Sequence, residues 1–178
     1  MPQKKKPLLK KNRPSSKRPK QLDLKKALTN SLKGASRVAI LGVGSELRGD
    51  DITGMVAAEI IQKAAHGGLK VFLGATAPEN LTGEIKKYAP SHLLIIDAAD
   101  TASKPGTISL IDPKTVGGIS FSTHMMPLKI MVDYMLKSIR CKAIIIGIQP
   151  KVLKFGSEPS PEVISSAKEV AKVILEIV

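Results

Sequence analysis

The residues best suited to chemistry begin in Gly42-Val43-Gly44-Ser45-Glu46-Leu47-Arg48-Gly49-Asp50-Asp51, where two adjacent carboxylates follow a glycine-containing loop. Glycines between a strand and a helix let backbone N–H groups approach a pyrophosphate, so the loop invites comparison with a dinucleotide site. The third glycine of that fingerprint is missing. Leu47 holds its place, and two acids sit near the start of the following helix, where they repel phosphate. A nucleotide is therefore the lesser reading. A purely structural use of the acids is helix capping by Asp50, with Asp51 favourably placed at the positive end of the helix. Capping gives one acid a reason and leaves the second without one.

Two further residues could join them. Asp97 closes the apolar run Leu93–Ile96, where it either bonds to local backbone or is aimed into the crevice above the sheet. His124 stands just before the helix that Pro127 opens. The positive end of that helix disfavours an imidazolium and leaves the neutral, metal-binding form, although a loop histidine can equally be a surface residue. Asp51, Asp97 and His124 make an oxygen-and-nitrogen donor set that suits zinc, nickel or a similar divalent ion, and all three fall on one predicted side of the sheet. The scatter of these positions is unlike the compact His-Glu-x-x-His helix motif, which is absent, as is a Gly-x-Ser-x-Gly elbow. His66, beside Gly67-Gly68, and His92, ahead of a strand, read as solvent-exposed. Cys141 is the single cysteine, so it makes no internal disulfide, and at the mouth of an Ile-rich strand it reads as buried filler. By themselves these residues mark a site without naming a reaction.

The elements that must position them alternate strand and helix. Val38–Gly42 is a continuous apolar run that fits a strand buried on both faces, followed by a helix with Ile52, Met55, Val56 and Ile60 that Gly67-Gly68 ends. A strand near Leu69–Leu73 precedes a helix announced by Pro78, with Leu81, Ile85 and Tyr88 on one face. Leu93–Ile96 is a third strand, and Thr107–Ile111, after the Pro105-Gly106 turn, a short one at an edge. The stripe Leu128, Met131, Val132, Met135 and Ile139 predicts a helix, Ala143–Ile148 a strand. A last helix has Ser160 as N-cap, Pro161 at its first position, and Val163, Ala167, Val170, Ala171 and Ile174 inward. This order predicts a single three-layer α/β/α domain over residues 35–178, with a mostly parallel twisted sheet of about five strands and the site at the strands' C-terminal ends.

The chain has 178 residues, 43% of them hydrophobic, enough for one ordinary domain with a real core. No apolar run approaches the roughly 20 residues needed to span a bilayer. No apolar signal-peptide segment follows the basic start, so the expectation is a soluble, cytoplasmic protein. Of the net charge of +13, residues 1–34 carry +11 and the rest +2. Residues 1–21 are expected to form a basic, disordered tail, and Leu24, Ala27, Leu28 and Leu32 predict a short helix within 22–34 that Gly34 stops. The tail has no aromatic residue on which a base could stack, so nucleic acid is expected as a partner only through the tail, if at all.

The same segments resemble the hydrogenase maturation endopeptidases from about Arg37 to the last helix. Gly42–Ser45 through Asp50-Asp51 is similar to that family's opening loop with its acidic pair, Gly74–Asn80 to the loop after its second strand, and His92–Ala98 to its third-strand block. Thr123–Leu128 and Gly147–Pro150 resemble the branch that processes formate-hydrogenlyase-type large subunits. Two departures stand out. Ser45 replaces the usual asparagine, and Ile52-Thr53-Gly54 follows the acids where many members place glycine at once. The basic residues 1–34 have no counterpart in the family pattern.

The resemblance implies an aspartic-type endopeptidase that trims the C-terminal extension of a nickel-iron hydrogenase large-subunit precursor, cutting after the basic or histidine residue that follows its last metal-binding cysteine. It places the family's metal-contacting acid, aspartate and histidine on Asp51, Asp97 and His124. Nickel is then supplied by the nickel-loaded precursor, and no permanently bound cofactor is expected; the protein itself is expected to be a monomer. A rival reading is a non-catalytic doubly wound module that binds a nucleotide or a protein partner, its basic tail adding affinity for nucleic acid. A generic metallopeptidase with a resident metal is another.

Overall fold

The computed structural model describes residues 21–64, 67–113, 120–121 and 128–178. His66, His124 and Pro127 lie outside them, as does the tail through residue 20. In chain order the elements are α1 (Gln21–Ser31), β1 (Val38–Val43), a 3-10 turn (Gly49–Ile52), α2 (Thr53–Ala64), β2 (Leu69–Ala75), a second 3-10 turn (Pro78–Leu81), α3 (Thr82–Tyr88), β3 (His92–Asp100), β4 (Ile108–Ile111), β5 (Ser120–Phe121), α4 (Leu128–Ser138), β6 (Lys142–Ile148) and α5 (Pro161–Ile177). Strands line up in the order β2-β1-β3-β6-β4. The first four are parallel, and β4 pairs antiparallel with β6 at the edge. The expected α/β/α architecture and its mostly parallel sheet are present.

Alternation along the strands divides the interior into two cores. Ile40, Leu94, Ile96, Ile146 and Ile148 pack with α2 and α5, while Ala39, Leu41, Leu93, Ile95 and Ile145 pack with α3 and α4. Side chains that leave a strand on opposite faces must each find a helix, which is why these strands read as unbroken apolar runs. α1 joins the first core through Leu24, Leu28 and Leu32, and Lys25 Nζ lies 2.8 Å from Glu176 on α5. Ser160 and Pro161 open α5 as the sequence predicts, and Val163, Ala167, Val170, Ala171 and Ile174 are all buried. No helix among the described residues is long and apolar enough to cross a membrane.

Three expectations change. The third strand does not end at Ile96: β3 runs to Asp100, because β6 pairs with it through Ala98 and β5 pairs antiparallel with Ala99 and Asp100. The inward face of α2 is Met55, Ala57, Ala58 and Ile61, with Val56 and Ile60 only partly buried. Small residues face inward there because α2 lies so close to β1 that a Cβ on Gly42 would stand 2.4 Å from the Ala58 Cβ. His92 is 3% exposed, not a solvent-facing end. Its ring sits between Ser91, whose Oγ is 3.1 Å from Nδ1, and the end of α1 at Ser31.

Candidate active site

From β1 the chain crosses to β2 on one side of the sheet, whereas β3 lies on the other. The C-terminal ends of β1 and β3 therefore flank the topological switch point, where α/β sheets open a crevice. Asp51 reaches this place from the 3-10 turn after β1. Asp97 lies on β3 one residue beyond the last pair with β1, Gly42 with Ile96, although β6 continues to pair with it through Gly147. It thus stands where the sheet is closed on one side and open on the other.

Glycine lets the turn that carries Asp51 pack closely against the strands. A Cβ on Gly54 would lie 2.1 Å from the carbonyl oxygen of Ile96 and 2.2 Å from that of Val43. One on Gly44, whose φ is +142°, would lie 1.8 Å from the carbonyl oxygen of Asp51. Only a missing side chain lets the start of α2 rest on the backbone of both strands, and the turn carrying Asp51 packs against β3 as a result. The Gly-x-Gly pattern thus serves close approach of backbone to backbone. Asp51 and Asp97 are both fully buried, with Oδ1 of the first and Oδ2 of the second shut off from solvent. Burying carboxylates costs stability that their other interactions must offset.

His124 falls outside the described residues. Among those that are described, no group of three or more His, Cys, Asp or Glu is arranged to hold a metal ion. The two acids are then at most part of a donor set, completed by a residue outside this part of the chain or by groups that arrive with a ligand.

Asp50 has a different role from the expected cap. The turn has no side-chain cap bond. Asp50 is fully buried and receives four hydrogen bonds from the far end of the sequence. Oδ2 accepts from the backbone N–H of Lys151 at 2.7 Å, that of Val152 at 2.8 Å and the hydroxyl of Ser160 at 3.0 Å, and Oδ1 accepts from the N–H of Ser160. The Asp50 N–H in turn donates to the Val152 carbonyl at 2.9 Å. One carboxylate therefore fixes the segment between β6 and α5 to the loop that carries its neighbour Asp51. Nothing local announces this, since the partners lie 101 to 110 positions away.

Gln149 makes a second cross-link. Its Oε1 accepts from the N–H groups of Thr101 and Ser103 at 2.8 and 3.2 Å, and its Nε2 donates to Asp100 Oδ1 at 3.1 Å. The segment after β3 is thereby tied to the end of β6, on the same side of the sheet as Asp97. At the opposite pole, a cavity of about 620 Å³ opens among Ser31, Leu110, Ile111, Cys141 and Lys142. It lies at the N-terminal end of β6, away from both acids. Cys141 is half-buried there, and burial pushes its thiol pKa up, which makes it a poor nucleophile.

Comparison with known proteins places the fold among solved relatives. A family model described as HycI, hydrogenase maturation protease, matches residues 55–177. A Methanocaldococcus jannaschii protein named for hydrogenase maturation protease activity is 34% identical over 164 residues, 87% of this chain and 96% of its own. The hydrogenase 3 maturation protease of Escherichia coli is 38% identical over 117 residues, 65% of this chain and 74% of its own. Among solved structures, the NiFe hydrogenase maturation protease HycI of Thermococcus kodakarensis superimposes with a TM-score of 0.79 at 28% identity, covering 85% of this chain and 97% of that one. The endopeptidase HycI of Escherichia coli gives 0.70 at 33% identity, covering 77% and 88%.

Proposed function

The chain belongs to the hydrogenase maturation protease family and is a peptidase, and on that premise we propose that it removes the C-terminal extension of a nickel-iron hydrogenase large-subunit precursor after nickel insertion. It does so as a cytoplasmic monomer, and nickel is part of its substrate. Asp51, Asp97 and His124 engage the nickel already held by the precursor and so fix the scissile bond beside it. The cation draws electron density from the peptide carbonyl, and Asp51 orients a water molecule and takes its proton as the hydroxide adds to the carbonyl carbon. That proton passes to the departing amide nitrogen when the C–N bond breaks.

The observation that supports this reading is two buried carboxylates at the switch point, one on β3 and one on the turn that Gly44 and Gly54 let pack closely against the strands. Hard and borderline divalent ions are bound by such oxygen donors together with imidazole, and an incomplete set suits a metal that comes and goes with its substrate. The test is processing of nickel-loaded and nickel-free precursor, followed by mass spectrometry, with the wild type and with Asp51→Ala, Asp97→Ala and His124→Ala. Cleavage is expected only of the nickel-loaded form and only by the wild type. Full processing by any one variant would remove that residue from the mechanism, and cleavage of nickel-free precursor would remove the metal.

A further inference from the structure

Among the described residues, Leu47 and Phe155 are the most exposed large apolar side chains, at 61% and 70%. They belong to segments more than a hundred positions apart, yet the N–H of Gly156 donates to the carbonyl of Leu47 at 2.8 Å. The two segments are further joined by the four bonds to Asp50 and by Gly49, where a Cβ would stand 2.8 Å from the Val152 carbonyl oxygen. Within the first loop, Ser45 Oγ accepts from the N–H of Leu47 at 3.3 Å. Two apolar side chains are thus presented to solvent on a cross-linked base, one of them, Leu47, four residues before Asp51.

Resting on the reading above, the geometry points to a docking platform on which Leu47 and Phe155 bind an apolar surface of the large-subunit precursor bordering its scissile segment. Three observations favour that occupant. The platform is continuous in sequence and structure with Asp51. The neighbouring charges Glu46, Arg48, Lys151, Lys154 and Glu158 nearly cancel, so apolar contact rather than charge supplies the attraction. Cross-linking to Asp50 means that little loop entropy is lost on binding, which is the condition under which exposed aromatic and aliphatic anchors contribute most to affinity.

The experiment compares full-length wild type with Leu47→Ser, Phe155→Ser, their double variant and Val178→Ser in processing of nickel-loaded precursor. Val178 is also exposed but follows the 17 residues of α5, about 25 Å from the end that Asp50 holds. Each platform variant is expected to raise KM about tenfold, with kcat and melting temperature unchanged, and Val178→Ser to leave KM as it was. Normal wild-type processing with an unchanged KM in the double variant would overturn the platform alone. A precursor left uncut by the wild type would overturn the functional reading and the platform with it. Sedimentation of the isolated protein supplies the last arm: a wild-type dimer lost in the double variant would make this a self-association face and overturn the proposal.

Discussion

Replacing Asp50 by alanine should destabilise the protein through the loop it holds, and the hydrogen bonds set the size of the effect. The variant strands two donors in buried surroundings, the N–H and hydroxyl of Ser160, and two in partly buried ones, the N–H groups of Lys151 and Val152. A buried donor without an acceptor costs about 1–3 kcal/mol, and a partly buried one that recovers water costs less, giving about 3–5 kcal/mol in all. Asp50→Asn separates geometry from charge. Its carboxamide oxygen can occupy the Oδ2 position and keep three donors, while the NH₂ faces the Ser160 N–H, one conflict costing about 1–3 kcal/mol. Urea denaturation measures both: with a slope of about 1–3 kcal/mol per molar, the alanine variant should unfold at least about 1 M earlier than wild type. An alanine variant within about 0.5 kcal/mol of wild type, or an asparagine variant as unstable as the alanine one, would refute the assignment of the four bonds.

Two other outcomes follow from the same structure. Gly54→Ala forces a methyl group onto the backbone oxygens of Ile96 and Val43, so stability should fall by about 3 kcal/mol or more, and processing should drop even where the variant is folded, because Asp51 moves from Asp97. Wild-type processing by a folded Gly54→Ala protein would show that the close approach is dispensable. His92 gives a pH signature. Burial, and secondarily the charge of Lys142, hold its imidazole pKa below 6.5, with the Ser31 carbonyl opposing in part. Above pH 6.5 the ring is neutral whether the chain is folded or not. Below it the unfolded chain binds the proton more readily, so stability declines as pH falls from 6.5 through the lowered value. His92→Gln should lose that decline, seen as a stability difference from wild type that changes with pH over this window; a constant difference would exclude His92 as its source.

Much of the frame was legible in the sequence because it rests on local causes. Continuous apolar runs marked the strands buried on both faces, Ser160-Pro161 marked the start of α5, and Pro105-Gly106 marked the turn into the edge strand. The location of the net charge in residues 1–34 kept the basic character apart from the folded body. That Asp51 and Asp97 lie beyond strand ends on one side of the sheet follows from the order of elements, since strand ends and helix starts converge on that side in any fold of this class. Family resemblance, not chemistry, supplied the word hydrogenase.

What local sequence could not decide were contacts between distant parts of the chain. Asp50 and Asp51 are chemically identical neighbours, and the sequence suggested helix capping for Asp50 without showing where either carboxylate points. Tertiary structure separated them by turning Asp50 toward donors at Lys151, Val152 and Ser160 and placing Asp51 in the turn packed against β3. His92 looked exposed until the end of α1 was placed beside it, and β3 looked short until β6 and β5 supplied partners for its last residues. The glycines show the same division. Their positions are visible in the sequence, but whether the space left by a missing side chain holds a phosphate or another backbone depends on what the fold brings there: the carbonyl groups of Val43, Asp51 and Ile96.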